Sequence, residues 1–382
     1  MHNKIDKELL NKVHILSNET QACIIRFDSD QSASNYVQDK KLKSYEYFRC
    51  INALAVELSL SSIYKMAMRN DVVYISSTSN VCTLINVAKN IIGIPNKIAS
   101  SSDFATAIID TGIYPHLDFM LGRRCKIVEF VDLISSKNTI YDDNGHGTMV
   151  ASILTGNGIV SDTKYIGIDN KSNIIMIKAL DQNGETNAIN ILRAMQWIYD
   201  NKAKYNIKIV CMSFGSTMLD RNDPLVLGAE ALWDIGVVVV CACGNSGPEI
   251  SSIKSPSASP KVISVGALDD GRVNDKYLVA NFSVADFSSR GPAYGNYKPD
   301  LVVSGVDVVG AVNFGLTRKF YDKISGTSVA TPIVAGVVSR LIKKYPKHSC
   351  DQIKKILISN CHPITGDRNI EGYGWLDISK IL

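Results

Sequence analysis

Ile324-Ser325-Gly326-Thr327-Ser328-Val329-Ala330-Thr331-Pro332 leads straight into an apolar run that reaches Leu341, and between Val329 and Ile342 the only charge is Arg340. Gly326 accepts backbone angles that a β-carbon resists. Thr327 and Ser328 are residue types that start helices. Pro332 is expected in the first helical turn, where a missing N–H costs little. The run therefore reads as a helix buried on nearly all sides, too short and too interrupted to cross a membrane. A serine at the mouth of such a helix meets unpaired backbone N–H groups and the positive end of the helix dipole. These surroundings stabilise a developing oxyanion. A capping serine on a core helix has the same local sequence, so the rest of the chain must decide between the two.

The 382 residues suffice for one large core or two domains. A hydrophobic content of 46% against 20% charged residues excludes a disordered chain. The net charge of +4 is not gathered in a block, which gives no reason to expect nucleic acid or an acidic membrane as partner. The opening residues contain no apolar run of the kind a signal peptide needs. Nine cysteines are an odd number, and several lie in apolar runs such as those around Cys211 and Cys241, where they behave as small hydrophobes. A reducing, cytoplasmic setting without a disulfide framework is expected. Cys241 and Cys243 are too close in sequence for a zinc pair, and no second pair follows.

Outward from residue 324, apolar runs alternate with helical patterns. Residues 105–109, 174–180, 207–213, 236–242, 262–265 and 301–303 read as strands. Residues 187–201 and 224–235 read as helices between them. Continuous apolar strands alternating with helices imply an α/β fold, a parallel sheet covered by helices on both faces. In such sheets the active residues gather where strands end and helices begin. Before this region the order is strand (21–27), helix (32–41), two strands (45–50 and 52–57), helix (60–69) and strand (72–76), which is the ferredoxin-like α+β arrangement. Ser76-Ser77-Thr78-Ser79-Asn80 reads as a linker. The expected division is a tail over 1–18, the small α+β unit over 19–82 and the large α/β unit over 83–382.

Three further stretches fall at strand-to-helix junctions. Thr106-Ala107-Ile108-Ile109-Asp110-Thr111-Gly112 sets a carboxylate at the tip of a buried strand. Asn144-Gly145-His146-Gly147-Thr148 opens an apolar helix with a histidine between two glycines, which leave room around a general base. Ala242-Cys243-Gly244-Asn245-Ser246-Gly247-Pro248 follows a buried strand, and its Asn245 amide is a potential donor to a charged oxygen. Each alone has a structural explanation in a capping Asp, a packed His or a turn-forming Asn. Together with Ser328 they supply an orienting acid, a base, an oxyanion donor and a nucleophile for acyl transfer.

On these motifs the chain resembles the subtilisin-like serine proteases, the subtilase family, in which Asp, His and Ser follow one another in this order. The likeness extends to Phe287-Ser288-Ser289-Arg290-Gly291-Pro292, to Lys298-Pro299-Asp300 and to Gly372-Tyr373-Gly374. Met149, Val329, Ile333 and Ser304 depart from the usual pattern without removing a catalytic group. The resemblance implies a serine endopeptidase in which Ser328 attacks, His146 carries the proton, Asp110 holds the imidazole and Asn245 donates to the oxyanion.

It also implies that the first unit is an inhibitory propeptide and intramolecular chaperone. The tail of that unit would occupy the cleft, with the self-cut between Ser79 and Asn86. The polypeptide substrate is expected to add a strand between Ser213-Phe214-Gly215 and Gly184-Glu185-Thr186. Ala242, Cys243 and Gly244 would line a small, uncharged pocket for apolar or aromatic residues. No cofactor is expected. The family's calcium ligands do not map onto this chain, and the acidic loops Asp142-Asp143-Asn144 and 181–185 read as solvated. The alternative is a subtilase fold that is catalytically impaired and serves binding or regulation. A dinucleotide enzyme would need glycines after the first strand that Asp110-Thr111-Gly112-Ile113-Tyr114-Pro115 lacks, and an esterase elbow would need Gly-x-Ser-x-Gly.

Overall fold

The computed structural model describes residues 4–5, 9, 20–40, 45–77, 80–83, 88–89, 102–217, 220–271 and 278–377. The first unit contains β1 (Thr20–Phe27), α1 (Asp30–Lys40), β2 (Glu46–Phe48), β3 (Ala53–Ser59), α2 (Leu60–Ala67) and β4 (Val72–Ser77). Its antiparallel sheet has the order β2-β3-β1-β4, as the ferredoxin-like reading expects. Asn52 turns the chain between β2 and β3 in the left-handed region, at φ 51°. Two expectations need correcting. The tail is not separate from this unit, because Ile5 bridges to Ile75 and Leu9 is fully buried in the unit's core. The supposed linker is partly strand: Ser76 and Ser77 are buried at the end of β4, and Asn80 opens β5 (Asn80–Thr83).

The second unit is built on β6 (Ala105–Asp110), β7 (Ile127–Asp132), α3 (His146–Thr155), β8 (Asn173–Lys178), β9 (Glu185–Asn187), α4 (Ala188–Asn201), β10 (Ile207–Met212), β11 (Phe214–Ser216), α5 (Pro224–Asp234), β12 (Val238–Ala242), β13 (Ile263–Asp269), β14 (Leu301–Ser304), β15 (Asp307–Ala311), β16 (Tyr321–Ile324), α6 (Thr327–Lys344) and α7 (Cys350–Ser359). Seven strands run parallel in the order β7-β8-β6-β10-β12-β13-β14. Every residue of β6 and β12 is buried, which is why these strands read as unbroken apolar runs.

The chain leaves β6 on one side toward β8 and later returns on the other side as β10. The C-terminal ends of β6 and β10 therefore flank the point where the winding reverses, the usual place for a site in such sheets. Helix α6 packs on β10, β12, β13 and β14 and against α3, while α4 and α5 pair on the opposite face.

The first unit lays one face of its sheet on α4 and α5. Ile24, Phe48, Ile51, Ala53 and Ala55 join the main core rather than their own. Polar contacts fix the docking: Cys50 N donates to Gln196 Oε1, Arg193 pairs with Glu46, and Arg26 donates to Asn222 Oδ1 at 3.2 Å.

Helix α6 is buried from Thr327 through Ser339, as its composition predicts. Pro332, however, is its sixth residue and lies in the second turn, where it cannot donate to the Ser328 carbonyl four residues earlier.

Candidate active site

Asp110 ends β6, and its Oδ1 accepts from His146 Nδ1 at 2.7 Å and from the Thr111 N–H at 2.8 Å. His146 is the first residue of α3. The close approach of these elements depends on Gly147: a β-carbon there would lie 2.1 Å from the Gly112 carbonyl oxygen and 3.2 Å from Asp110 Cβ. The glycine thus lets α3 meet β6, a different service from the room for substrate that the sequence suggests. The ring is buried, and its Nε2 has no hydrogen-bond partner among the described residues.

Burial disfavours the imidazolium. The Asp110 charge and hydrogen bond, reinforced by the Asp142 charge, outweigh that penalty and hold His146 above the ordinary histidine value. The arrangement fixes the tautomer, with the proton on Nδ1 and Nε2 free to accept one.

Asn245 follows β12 through Cys243 and Gly244. Its Oδ1 accepts from both the backbone N–H and the hydroxyl of Thr327, each at 2.9 Å. A backbone N–H can only donate, so the atom facing it is the amide oxygen, and Nδ2 is left as a buried donor without a partner. Thr327 opens α6 and Ser328 is its second residue, fully buried in this structure. An orphaned amide donor, an orphaned imidazole nitrogen and a helix-mouth hydroxyl suit the formation of a tetrahedral oxyanion.

Asp142 corrects the sequence reading. It is not a solvated loop residue but is buried at 2% exposure. Its Oδ1 accepts from Thr111 Oγ1 and from the N–H groups of Asn144 and Gly145, and its Oδ2 accepts from Thr148 N and Oγ1. Thr111 Oγ1 in turn accepts from Gly147 N at 2.9 Å. One carboxylate thereby clamps the strand carrying Asp110 to the loop carrying His146. An Asp three residues before a glycine at a helix start is a local signal that could have revealed it. Lys178 was also missed inside an apolar run. It is fully buried beside Asp110 in the sheet, and its ammonium donates to the carbonyls of Thr111 and Leu180 and pairs with Asp143.

The two segments expected to flank a substrate are paired with a strand of the chain itself. Strand β5 lies antiparallel between β9 and β11, with Cys82 opposite both Glu185 and Gly215, and Thr83 opposite Phe214. Gly184, at φ 75°, immediately precedes β9. Ser213 follows β10, and Ala242 ends the neighbouring strand β12. Cys243 lies beside them, but its thiol turns away toward Ser288 and Ser289 and packs with Ile253, Ala258 and Ala293. Among the described residues no group of three or more His, Cys, Asp and Glu side chains converges as a metal site would, and no helix is long and apolar enough to cross a membrane.

A hydroxyl, an imidazole and a carboxylate on this rim are the equipment of a serine-type hydrolase. The chain belongs to the subtilase family, whose profile matches residues 101–375, and it is accordingly a serine endopeptidase. It is 33% identical over 359 residues to the serine protease AprX of Bacillus subtilis (strain 168), covering 86% of this chain and 78% of that one. It is 30% identical over 249 residues to a thermostable alkaline protease of Halalkalibacterium halodurans, covering 65% and 59%. The structure of fervidolysin from Fervidobacterium pennivorans, a keratinolytic enzyme related to subtilisin, superposes with a TM-score of 0.71 at 19% identity over 95% of this chain and 60% of that one. That likeness is one of fold.

Proposed function

We propose that Ser328, His146 and Asp110 form the catalytic triad, with Asn245 as oxyanion donor, and that the protein is made as a zymogen that cuts itself. Ser328 Oγ attacks the peptide carbonyl while His146 Nε2 takes its proton and then delivers it to the leaving amine. Asp110 keeps the ring in the receptive tautomer and stabilises the imidazolium. Asn245 Nδ2 and the backbone N–H of Ser328 receive the developing negative charge. Water then releases the acyl group.

The observation that carries the zymogen reading is the placement of β5 as the middle strand between the two cleft walls. A segment held by main-chain pairing on both sides is bound as a substrate would be. The window expected for the cut extends past Thr83 into residues 84–87, which lie outside the described residues. Thr83, the last described residue of β5, lies opposite Phe214, inside the window from Ser79 to Asn86 in which the cut is proposed. The first unit remains on α4 and α5 as an inhibitor until it is degraded.

The test is intact mass spectrometry of wild type and Ser328→Ala after identical expression. Wild type should yield a species beginning within residues 80–86, and the variant should stay at full length. Equal processing of both would remove the self-cutting mechanism, and absence of processing in both would favour a catalytically impaired relative.

A further inference from the structure

Lys178 ends β8, opposite Asp110 at the end of β6. Its side chain is fully buried, and the ammonium donates to three different segments: to the Thr111 carbonyl at 2.6 Å, to the Leu180 carbonyl at 3.0 Å and to Asp143 Oδ1 at 2.6 Å. Thr111 directly follows the carboxylate that holds the imidazole. Asp143 lies in the loop that delivers His146. Leu180 leads into the turn before β9, the strand that pairs with β5. That turn is closed on itself: Asp181 Oδ1 accepts from the N–H groups of Asn183 and Glu185, each at 2.9 Å, and the Asp181 carbonyl accepts from Gly184 N at 3.1 Å. Such a turn moves as a unit, so its register against His146 depends on the links at its base. These are the Ala179 and Leu180 N–H groups on the Asp110 carbonyl at 3.0 and 3.2 Å, Asn144 Nδ2 on the Gln182 carbonyl at 3.0 Å, and Lys178. Lys178 joins all three segments at one atom. Removing an ammonium from water is unfavourable, and a methionine of similar shape would avoid that penalty. What the cation supplies in return is the three-way junction.

We infer that Lys178 is a positioning residue for the reaction: it holds β9, and a substrate paired along it, in register with Asp110 and His146. This rests on the proteolytic site proposed above. Binding energy from the outer residues of a peptide raises kcat when it is used to set the scissile carbonyl against the nucleophile and base. A misplacement of about 1 Å at that point lowers the rate by up to about 10²-fold. A peptide too short to pair along β9 draws nothing from this register. Loss of Lys178 therefore falls hardest on long peptides, and in kcat rather than in KM.

The test uses the full chain, expressed and allowed to process, with active sites titrated by a fluorophosphonate so that kcat counts only competent molecules. kcat and KM are measured for a dipeptide and a tetrapeptide p-nitroanilide with the same last residue, in wild type, Lys178→Met and Asp143→Ala. The ratio of tetrapeptide to dipeptide kcat should fall by about tenfold in Lys178→Met, with the tetrapeptide KM within about twofold of wild type. Asp143 is exposed, and its replacement removes one of the three acceptors without burying anything new. It should lower the same ratio by about threefold, and it decides the matter if Lys178→Met does not fold. A merely structural lysine would reduce the number of titrated sites and leave the ratio alone. A ratio unchanged in the variants that fold, an equal fall in kcat for both peptides, or a change confined to KM would overturn the inference and leave the protease reading intact. No turnover of the tetrapeptide by wild type would strike the proteolytic site itself, and this inference with it.

Discussion

Replacing Asp142 by Asn perturbs the site without touching a reacting group. Five donors converge on the carboxylate: Thr111 Oγ1 at 3.0 Å, Asn144 N at 3.2 Å and Gly145 N at 2.8 Å on Oδ1, with Thr148 N at 2.9 Å and Thr148 Oγ1 at 2.6 Å on Oδ2. An asparagine keeps its oxygen toward the larger group and turns its NH2 to Thr148. The Thr148 hydroxyl can rotate and accept. The Thr148 N–H cannot, and it is left facing another donor in a buried place. One lost charge-assisted bond and one stranded N–H cost about 2–4 kcal/mol.

The electrostatic consequence is separate. Asp142 helps Asp110 hold His146 above the ordinary histidine value against the penalty of burial. Catalysis needs the neutral ring, so activity rises with pH as His146 loses its proton. Removing the Asp142 charge lowers that pKa and moves the acid limb of kcat/KM to lower pH. Loosened orientation of His146 should also cut kcat by about 10- to 100-fold. The assays are urea unfolding of Asp142→Asn in a Ser328→Ala background, which prevents self-digestion, and the pH profile of the processed single variant. An acid limb that stays in place, with a stability loss below about 0.5 kcal/mol, would refute the clamp.

Two further outcomes follow from the same geometry. Asn245→Ala removes the orphaned Nδ2 and should lower kcat by about 10²–10³ with little change in KM, read with a chromogenic peptide; a change confined to KM would contradict the oxyanion role. Asp223 is pushed up to about 7, first by burial and then by Asp220, against the hydrogen bond from Leu225 N that lowers it. With the folded value above the unfolded one, its contribution to stability is full below the ordinary carboxylate range and is lost as pH rises through about 7. Asp223→Asn keeps an acceptor for the Leu225 N–H, so it should shift unfolding of the Ser328→Ala protein to higher urea by less at about pH 5 than at about pH 9; equal shifts at both would sink this account.

The central strands were legible because burial on both faces turns them into continuous apolar runs, as in 105–109 and 207–213. Edge strand β7 was not, because its residues are only half-buried and alternate Val128-Glu129-Phe130-Val131 with no flanking turn signal. The hairpin of β15 and β16 was missed as well, its second strand carrying charges at Asp322 and Lys323. The four motif residues were legible because each sits beside a glycine or a helix start that its local sequence displays. Asp142 was read as solvated because its spacing to Gly145 signals only the local turn, whereas its burial comes from donors converging from positions 111, 144, 145 and 148. Lys178 was hidden for a related reason: whether a lysine is exposed or buried and paired depends on which distant carbonyls and carboxylates surround it.

The central claim is that Ser328 alone among the hydroxyls of this chain is made nucleophilic by its neighbours. Labelling the processed protein with a fluorophosphonate, followed by peptide mapping, reads that property directly. The account predicts a single adduct on Ser328 that disappears in His146→Ala; an unlabelled Ser328, or an adduct on another serine that persists without His146, would contradict it.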